Sequence, residues 1–326
     1  MNSTAVTADT SSLGPAVLRR NAVYEALLRI STRTAAITVL IMLGGVIVAL
    51  IHGSIPAFEK AGLSFLWTES WNPVKERFGA AAPIYGTLVT SIIAMLIGVP
   101  ISLGIAIFLT ELCPLWLKRP ISTAIELLAG IPSIIYGIWG LFVLSPLLQR
   151  HVQPALISAF SDVPLLSDLF AGPPYGIGIL TASLILSIMV LPYITSITRD
   201  VFETVPPMLK ESAYGLGCTT WEVVWNIVLP YTRAGVIGGV MLGLGRALGE
   251  TMAVTFVIGN AHRINSSLLA PGTTISASIA NEFTEATGEV YTSSLVALGL
   301  ILFIITFIVL TFARLMLLRL KRREGR

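Results

Sequence analysis

Apolar residues in this chain gather into six long runs, at about 31–52, 84–109, 121–148, 174–197, 231–258 and 292–317, with shorter polar stretches between them. A helix of roughly 20 residues crosses a hydrocarbon layer about 30 Å thick, and each run is long enough to do so. Inside such a layer every backbone N–H and C=O needs an internal partner, so each run predicts a helix. Pro100, Pro132 and Pro192 fall inside runs and predict kinks, which bundles tolerate when neighbouring helices re-satisfy the freed backbone groups. The pattern is that of an all-α, polytopic membrane protein with six spans. Composition agrees: 54% of the 326 residues are apolar and 12% are charged, against about 25% charged in soluble domains.

Charge gives the expected orientation. With six spans both termini share a side. The segments before 31, 110–120, 198–233 and after 313, with Arg33 at a span edge, carry most of the 21 Lys and Arg residues. The alternate loops hold only Lys60, Lys75, Arg77, Arg150 and Arg263. Basic residues concentrate on the cytoplasmic side, so both termini and the 206–230 loop are expected there. The predicted organisation is a cytoplasmic tail over 1–30, a transmembrane domain over 31–318 and a basic tail over 319–326. Arg319, Lys321, Arg322, Arg323 and Arg326 suit the anionic leaflet of a lipid membrane better than nucleic acid, because they directly follow a span. The first thirty residues are polar and contain no secretory signal with a cleavage site. Cys113 and Cys218 both fall on the expected cytoplasmic side and read as reduced thiols.

The external loops are less decisive. Loop 53–83 carries Trp67, Trp71 and Pro73 and predicts a short interfacial helix. Loop 259–291 ends in Glu282, Glu285 and Glu289, an acidic face open to two readings, simple solvation or contact with a partner. His52, His151 and His262 are dispersed at membrane edges and loops and read as solvated.

The 206–230 loop is punctuated like a folded part. Pro206-Pro207 turns the chain, because proline cannot continue the preceding helix. Lys210 to Leu216 then reads as a short helix with Gly217 as its C-terminal cap. Thr219 and Glu222 have the spacing of a capping box that starts a second helix, which Pro230 is expected to end. Trp221 and Trp225, one turn apart, suit the membrane interface. The result is a helix–turn–helix expected to lie along the membrane surface. The run Glu211-Ser-Ala213, then Gly217, then Ile227-Val-Leu229-Pro230 resembles the EAA loop of bacterial ABC-importer permeases. Every fixed position of that pattern matches except Ser212, which replaces one small residue by another. The resemblance implies that a coupling helix here fits a cleft on a separate ATP-binding subunit.

Arg246 lies 13 residues beyond Arg233, about 20 Å along a helix and so near mid-membrane. At about 100° per residue Gly235, Gly239, Gly243, Arg246 and Glu250 share one face, a small-residue ridge carrying two charges. An intramembrane charge is costly and invites a functional reading. Two readings stay open: an i,i+4 ion pair that locks helices, or a path for an oxyanion whose geometry the guanidinium matches. Glu126 reads as a capping or interface residue near a membrane edge. The run Gly243 to Ala253, with Phe108-Leu-Thr-Glu-Leu-Cys-Pro114 and Ile131-Pro-Ser-Ile-Ile-Tyr-Gly137, resembles the PstC-type permeases of phosphate-specific ABC importers over roughly 30–320.

That resemblance implies a type I ABC importer permease with the MetI-like fold, in the inner membrane, with inorganic phosphate as cargo. It implies a PstA-type second permease subunit, a pair of PstB-type ATP-binding subunits and an external PstS-type phosphate-binding protein. It also implies a translocation path past Arg246 and Glu250. The sequence has no Gly-x-x-x-x-Gly-Lys-Ser/Thr loop, no metal-ligand cluster and no nucleophile elbow, so neither an ATP site, a cofactor nor a catalytic centre is expected. Permeases for sulfate or molybdate share the coupling loop and stay open as alternatives. An ion-coupled secondary transporter is disfavoured, because Glu250 beside Arg246 is the only acidic residue well inside a span.

Overall fold

The computed structural model describes residues 15–164 and 166–324. Residues 1–14 of the expected tail, and 325–326 of the basic tail with Arg326, lie outside the described residues. The chain divides into two units, Met1–His52 and Gly53–Arg326. In the first unit the polar segment expected as a tail is helical from Pro15, where helix α1 (Pro15–Ala61) begins. Arg29 there meets Glu25 one turn earlier at 3.5 Å.

The second unit is built from α2 (Ala81–Ile107), α3 (Leu115–Ala129), α4 (Ser133–Phe160), α5 (Ile179–Glu203), α6 (Pro207–Gly215), α7 (Thr220–Leu248), α8 (Ile275–Glu282) and α9 (Glu289–Glu324). Among the described residues five helices are long and apolar enough to cross a membrane, and a sixth span is available if the bent pair α3–α4 counts as one. The kink expected at Pro132 in the third run, 121–148, is a sharp corner: α3 and α4 meet at 90° across Gly130–Pro132. Pro132 has extended backbone, as a residue capping the next helix must, and Tyr136 Oη donates to the Leu128 carbonyl at 2.9 Å across the corner.

Pro100 and Pro192 lie inside α2 and α5, whereas four other prolines follow widened turns. A π-turn occupies each of Phe108–Leu112, Gly140–Leu144, Leu148–Val152 and Val224–Val228. Two residues beyond each one stands a proline, Pro114, Pro146, Pro154 and Pro230. A proline ring collides with the carbonyl four residues earlier in a regular helix, and at Pro146, Pro154 and Pro230, where the helix continues, the widened turn relieves that collision, whereas at Pro114 the helix has already ended. This corrects the expected stop at Pro230: the helix begun at Thr220 passes through the π-turn and runs on to Leu248.

The core has three parts stacked along the bundle. The middle, around Met95, Ile185, Leu186, Met189, Val190, Ile194 and Val254, joins α2, α5, α7 and the one-turn helix Met252–Thr255. One end is closed by Phe65, Phe78, Ile275, Tyr291, Leu295 and Leu298. The other end gathers Ala106 of α2, Phe202 and Val205 at the end of α5, Ala213 of α6, and Val223, Val228 and Val236 of α7.

Candidate functional site

The loop 206–230 sits at the Ala213 end of the bundle. Pro206 caps α6 and Pro207 occupies its first turn, where a missing N–H costs nothing. The helix closes as expected. The Gly217 N–H donates to the Tyr214 carbonyl at 2.9 Å and the Cys218 N–H to the Ala213 carbonyl at 3.1 Å, a Schellman cap. Gly217 has φ +88°, a conformation that side chains rarely adopt, and a Cβ there would meet open space. Its side of the turn is therefore free for a partner. The capping box is also present: the Glu222 N–H donates to Thr219 Oγ1 at 3.4 Å and the Thr219 N–H to Glu222 Oε2 at 2.8 Å.

Along α6 the faces divide. Ala213 is buried in the end cluster, whereas Glu211, Met208, Tyr214 and Leu216 are exposed. Ile227 and Leu229 are half-buried against the same cluster, and Pro230 is exposed. Trp221 and Trp225 stack at 5.2 Å between ring centroids and are also exposed. The helix–turn–helix thus differs from the expected surface-lying pair: α6 is a short helix seated on the bundle end, and its successor is the base of span α7.

The second candidate site is a break in α7's path. Gly235, Gly239 and Gly243 do form the expected ridge: a Cβ on each would fall within 3 Å of Val201, Ile197 and Ile194 on α5. The helix ends at Leu248, however, so Glu250 is not on the same helix as Arg246. Among the described residues the two form no ion pair, and the expectation of a shared helical face stops at Arg246. Arg246 occupies the last turn of α7, where a cation complements the helix dipole, and its guanidinium carbon lies 5.9 Å from the centre of the Tyr193 ring. Glu250 Oε1 accepts from the Ala253 N–H at 3.2 Å and so caps the one-turn helix Met252–Thr255. The bent third span packs on this break: a Cβ on Gly137 would come within 2.9 to 3.1 Å of Phe256, Met252 and Ala253. Two interrupted spans therefore meet beside an exposed arginine.

Other polar residues have definite partners. Glu126 pairs with Arg199 of α5 at 2.9 Å, an interface role as expected. His262 does not have the solvated setting read from sequence. Its ring stacks on Trp71 at 4.8 Å with 6° between planes, and Nε2 lies 3.1 Å from Ser278 Oγ and 3.5 Å from Glu282 Oε1. Burial pushes the imidazole down to about 4. Glu282 also accepts from Trp71 Nε1 at 2.5 Å and from Tyr291 Oη at 2.7 Å, so it ties loops together, whereas Glu285 and Glu289 are exposed. The interfacial helix expected in loop 53–83 is a 3-10 turn at Gly62–Leu66. Sequence reasoning gave no role to Glu111, which Lys210 meets at 2.6 Å, or to Tyr193.

Residues 98–322 match the family described as binding-protein-dependent transport system inner membrane component. The chain belongs to that family, and within it to the PstC-type permeases. It is 68% identical over 310 residues to the phosphate transport system permease protein PstC of Mesorhizobium japonicum, with 95% of each chain covered. It is 59% identical over 304 residues to PstC of Pasteurella multocida, covering 93% of this chain and 95% of that one. The probable phosphate transport system permease PstC of Methanocaldococcus jannaschii is 40% identical over 287 residues, 86% of this chain and 90% of that one. Among solved structures, a chain of a bacterial ABC transporter that imports the acidic polysaccharide alginate superposes with a TM-score of 0.60 at 17% identity, over 93% of this chain and 98% of that one. A chain of the inward-facing MetNI methionine ABC transporter gives 0.53 at 15% identity, over 73% and 94%. These last two share the fold, the MetI-like arrangement of type I importer permeases. The protein is therefore a multi-pass inner-membrane permease of a binding-protein-dependent ABC system.

Proposed function

We propose that this chain is one permease half of an ATP-driven importer of inorganic phosphate. The observation that carries the reading is the seating of α6: Ala213 is buried where α2, α5 and α7 converge, and the Glu211 side of the same helix is exposed. A push on the exposed side reaches three spans at once. The absence from the sequence of a phosphate-cradling Gly-rich loop with Lys-Ser/Thr supports a separate ATP-binding subunit, PstB-type and paired, as the source of that push. Phosphate as cargo, a PstA-type partner permease and an external PstS-type binding protein are supported by identity of up to 68% to chains named PstC.

In this reading Glu211, Ala213 and Gly217 present the coupling helix, and Ile227, Leu229 and Pro230 join it to α7. The excess of basic residues in these loops supports a cytoplasmic side for α6, both termini and the 319–326 tail, with 1–30 as the leading tail, 31–318 as the membrane domain and 206–230 as its coupling loop. Arg246 and Glu250 lie on the translocation path. A guanidinium at the end of α7, held near Tyr193 rather than spent on Glu250, is available to an oxyanion in transit. Alternating access exposes this break first to the binding protein, then to the cytoplasm.

The test is reconstitution with and without the ATP-binding subunits. Uptake that requires them and ATP supports the proposal. Uptake that persists without them and follows a proton or sodium gradient contradicts it.

A further inference from the structure

Helix α6 is joined through the chain to only two of the spans it touches. Thr204–Pro206 connects it to α5, and Leu216–Thr219 connects it to α7. Its link to α2 is non-covalent. That link has an apolar part, Ala213 and Ala106 in one cluster, and a polar part, Lys210 Nζ to Glu111 Oε1 at 2.6 Å across 99 residues of sequence. Glu111 sits in the π-turn that ends α2, just before the chain turns to extended backbone at Cys113.

The burial of this pair sets it apart. The Glu111 side chain is 5% exposed and that of Lys210 19%, so both partners are withdrawn from water, whereas the carboxylates of Lys118–Glu203 and Arg199–Glu126 are 47% and 54% exposed, with Arg199 itself at 13%. These two pairs tie α3 to α5 and contribute less, because water screens their exposed carboxylates. A charge taken out of water behaves otherwise: removing one partner leaves the other buried and unneutralised, so the two ends stay together through a displacement. Apolar contact alone, being non-directional, lets helix ends slide past each other.

We infer that Lys210 and Glu111 form a strut through which movement of α6 is delivered to α2, making Glu111 a positioning residue for coupled transport. The inference rests on the importer reading above. Without the strut α6 still moves α5 and α7, but α2 lags and ATP is hydrolysed without full opening of the path.

The experiment uses the full complex in proteoliposomes and reads phosphate taken up per ATP hydrolysed, together with co-purification of the subunits. Glu111→Gln and Lys210→Met are each expected to assemble and to lower that ratio at least tenfold. The double variant Glu111→Lys with Lys210→Glu is expected to bring it back to within threefold of the starting protein. A starting-protein ratio in either single variant overturns the strut. So does a double variant as poor as the singles, or disappearance of the singles from the membrane, which assigns the pair to folding alone. Failure of the unmodified complex to couple ATP to phosphate uptake sinks the importer reading itself and is seen before any variant is made.

Discussion

Gly86 of α2 lies against Thr273 so closely that a Cβ at this position would come within 1.8 Å of the Thr273 carbonyl oxygen. The obstacle is backbone, which cannot rotate away. The neighbouring Thr87 hydroxyl accepts from the Ile275 N–H at 2.9 Å, so α2 and the start of α8 are pinned at this spot.

Gly86→Ala is expected to destabilise the protein by about 1–3 kcal/mol or more, the usual range for overpacking. Thermal unfolding of the detergent-purified protein checks this. Gly104→Ala, on the same helix with nothing within 4 Å, serves as the control and should leave the midpoint unchanged or raise it, because alanine is the better helix former.

A variant at Gly217 can separate the proposed coupling role from folding. Its φ of +88° strains any side chain, and the open space around it means that the strain is not compounded by a clash inside the chain. Gly217→Asp is expected to abolish ATP-driven uptake while membrane levels stay near normal. Normal uptake by that variant would remove 206–230 from the coupling role.

For Arg246 the expectation is a loss of uptake of at least tenfold in Arg246→Gln, with the assembled complex still recovered by co-purification. The helix-locking alternative relied on a pair with Glu250 that does not form, since Glu250 caps the next turn instead. Glu250→Ala should cost about 1 kcal/mol of stability, as loss of a helix cap does. Loss of assembly in Arg246→Gln would return the residue to a structural role.

His262 predicts a pH dependence. Its imidazole is held down at about 4 by burial, below the ordinary value near 6.5, so the folded protein binds fewer protons than the unfolded chain between those values. Stability therefore falls as pH drops from about 6.5 toward 4 and is insensitive to this group above that window. Carboxylates titrate in the same range, so the measurement is the difference in unfolding midpoint between the protein and His262→Gln. The protein should lose more stability than the variant on acidification.

Local chemistry made much of this structure legible in advance. Pro206-Pro207, Gly217 and the Thr219–Glu222 spacing each act within one helical turn, and α6 and its caps form where those residues put them. Five of the six apolar runs likewise fall on helices long and apolar enough to cross a membrane, and the run at 121–148 falls on the bent pair α3–α4. The misreadings arose where a proline's effect depends on its surroundings. Pro230 passes within a continuing helix because a π-turn precedes it, whereas Pro132 follows Gly130 at a 90° corner. Periodicity placed Glu250 beside Arg246 because it assumed that the helix continues past Gly249. Lys210–Glu111 and the Trp71–His262 stack join residues far apart in sequence, and only the packing of α2, α6 and the loops brings them together.

The most direct test of the account is ATP hydrolysis by the complete complex in proteoliposomes, stimulated in turn by phosphate-loaded and sulfate-loaded binding protein. The account predicts strong stimulation by the phosphate-loaded protein and little by the sulfate-loaded one. Equal stimulation by both, or none by the phosphate-loaded protein, would contradict it.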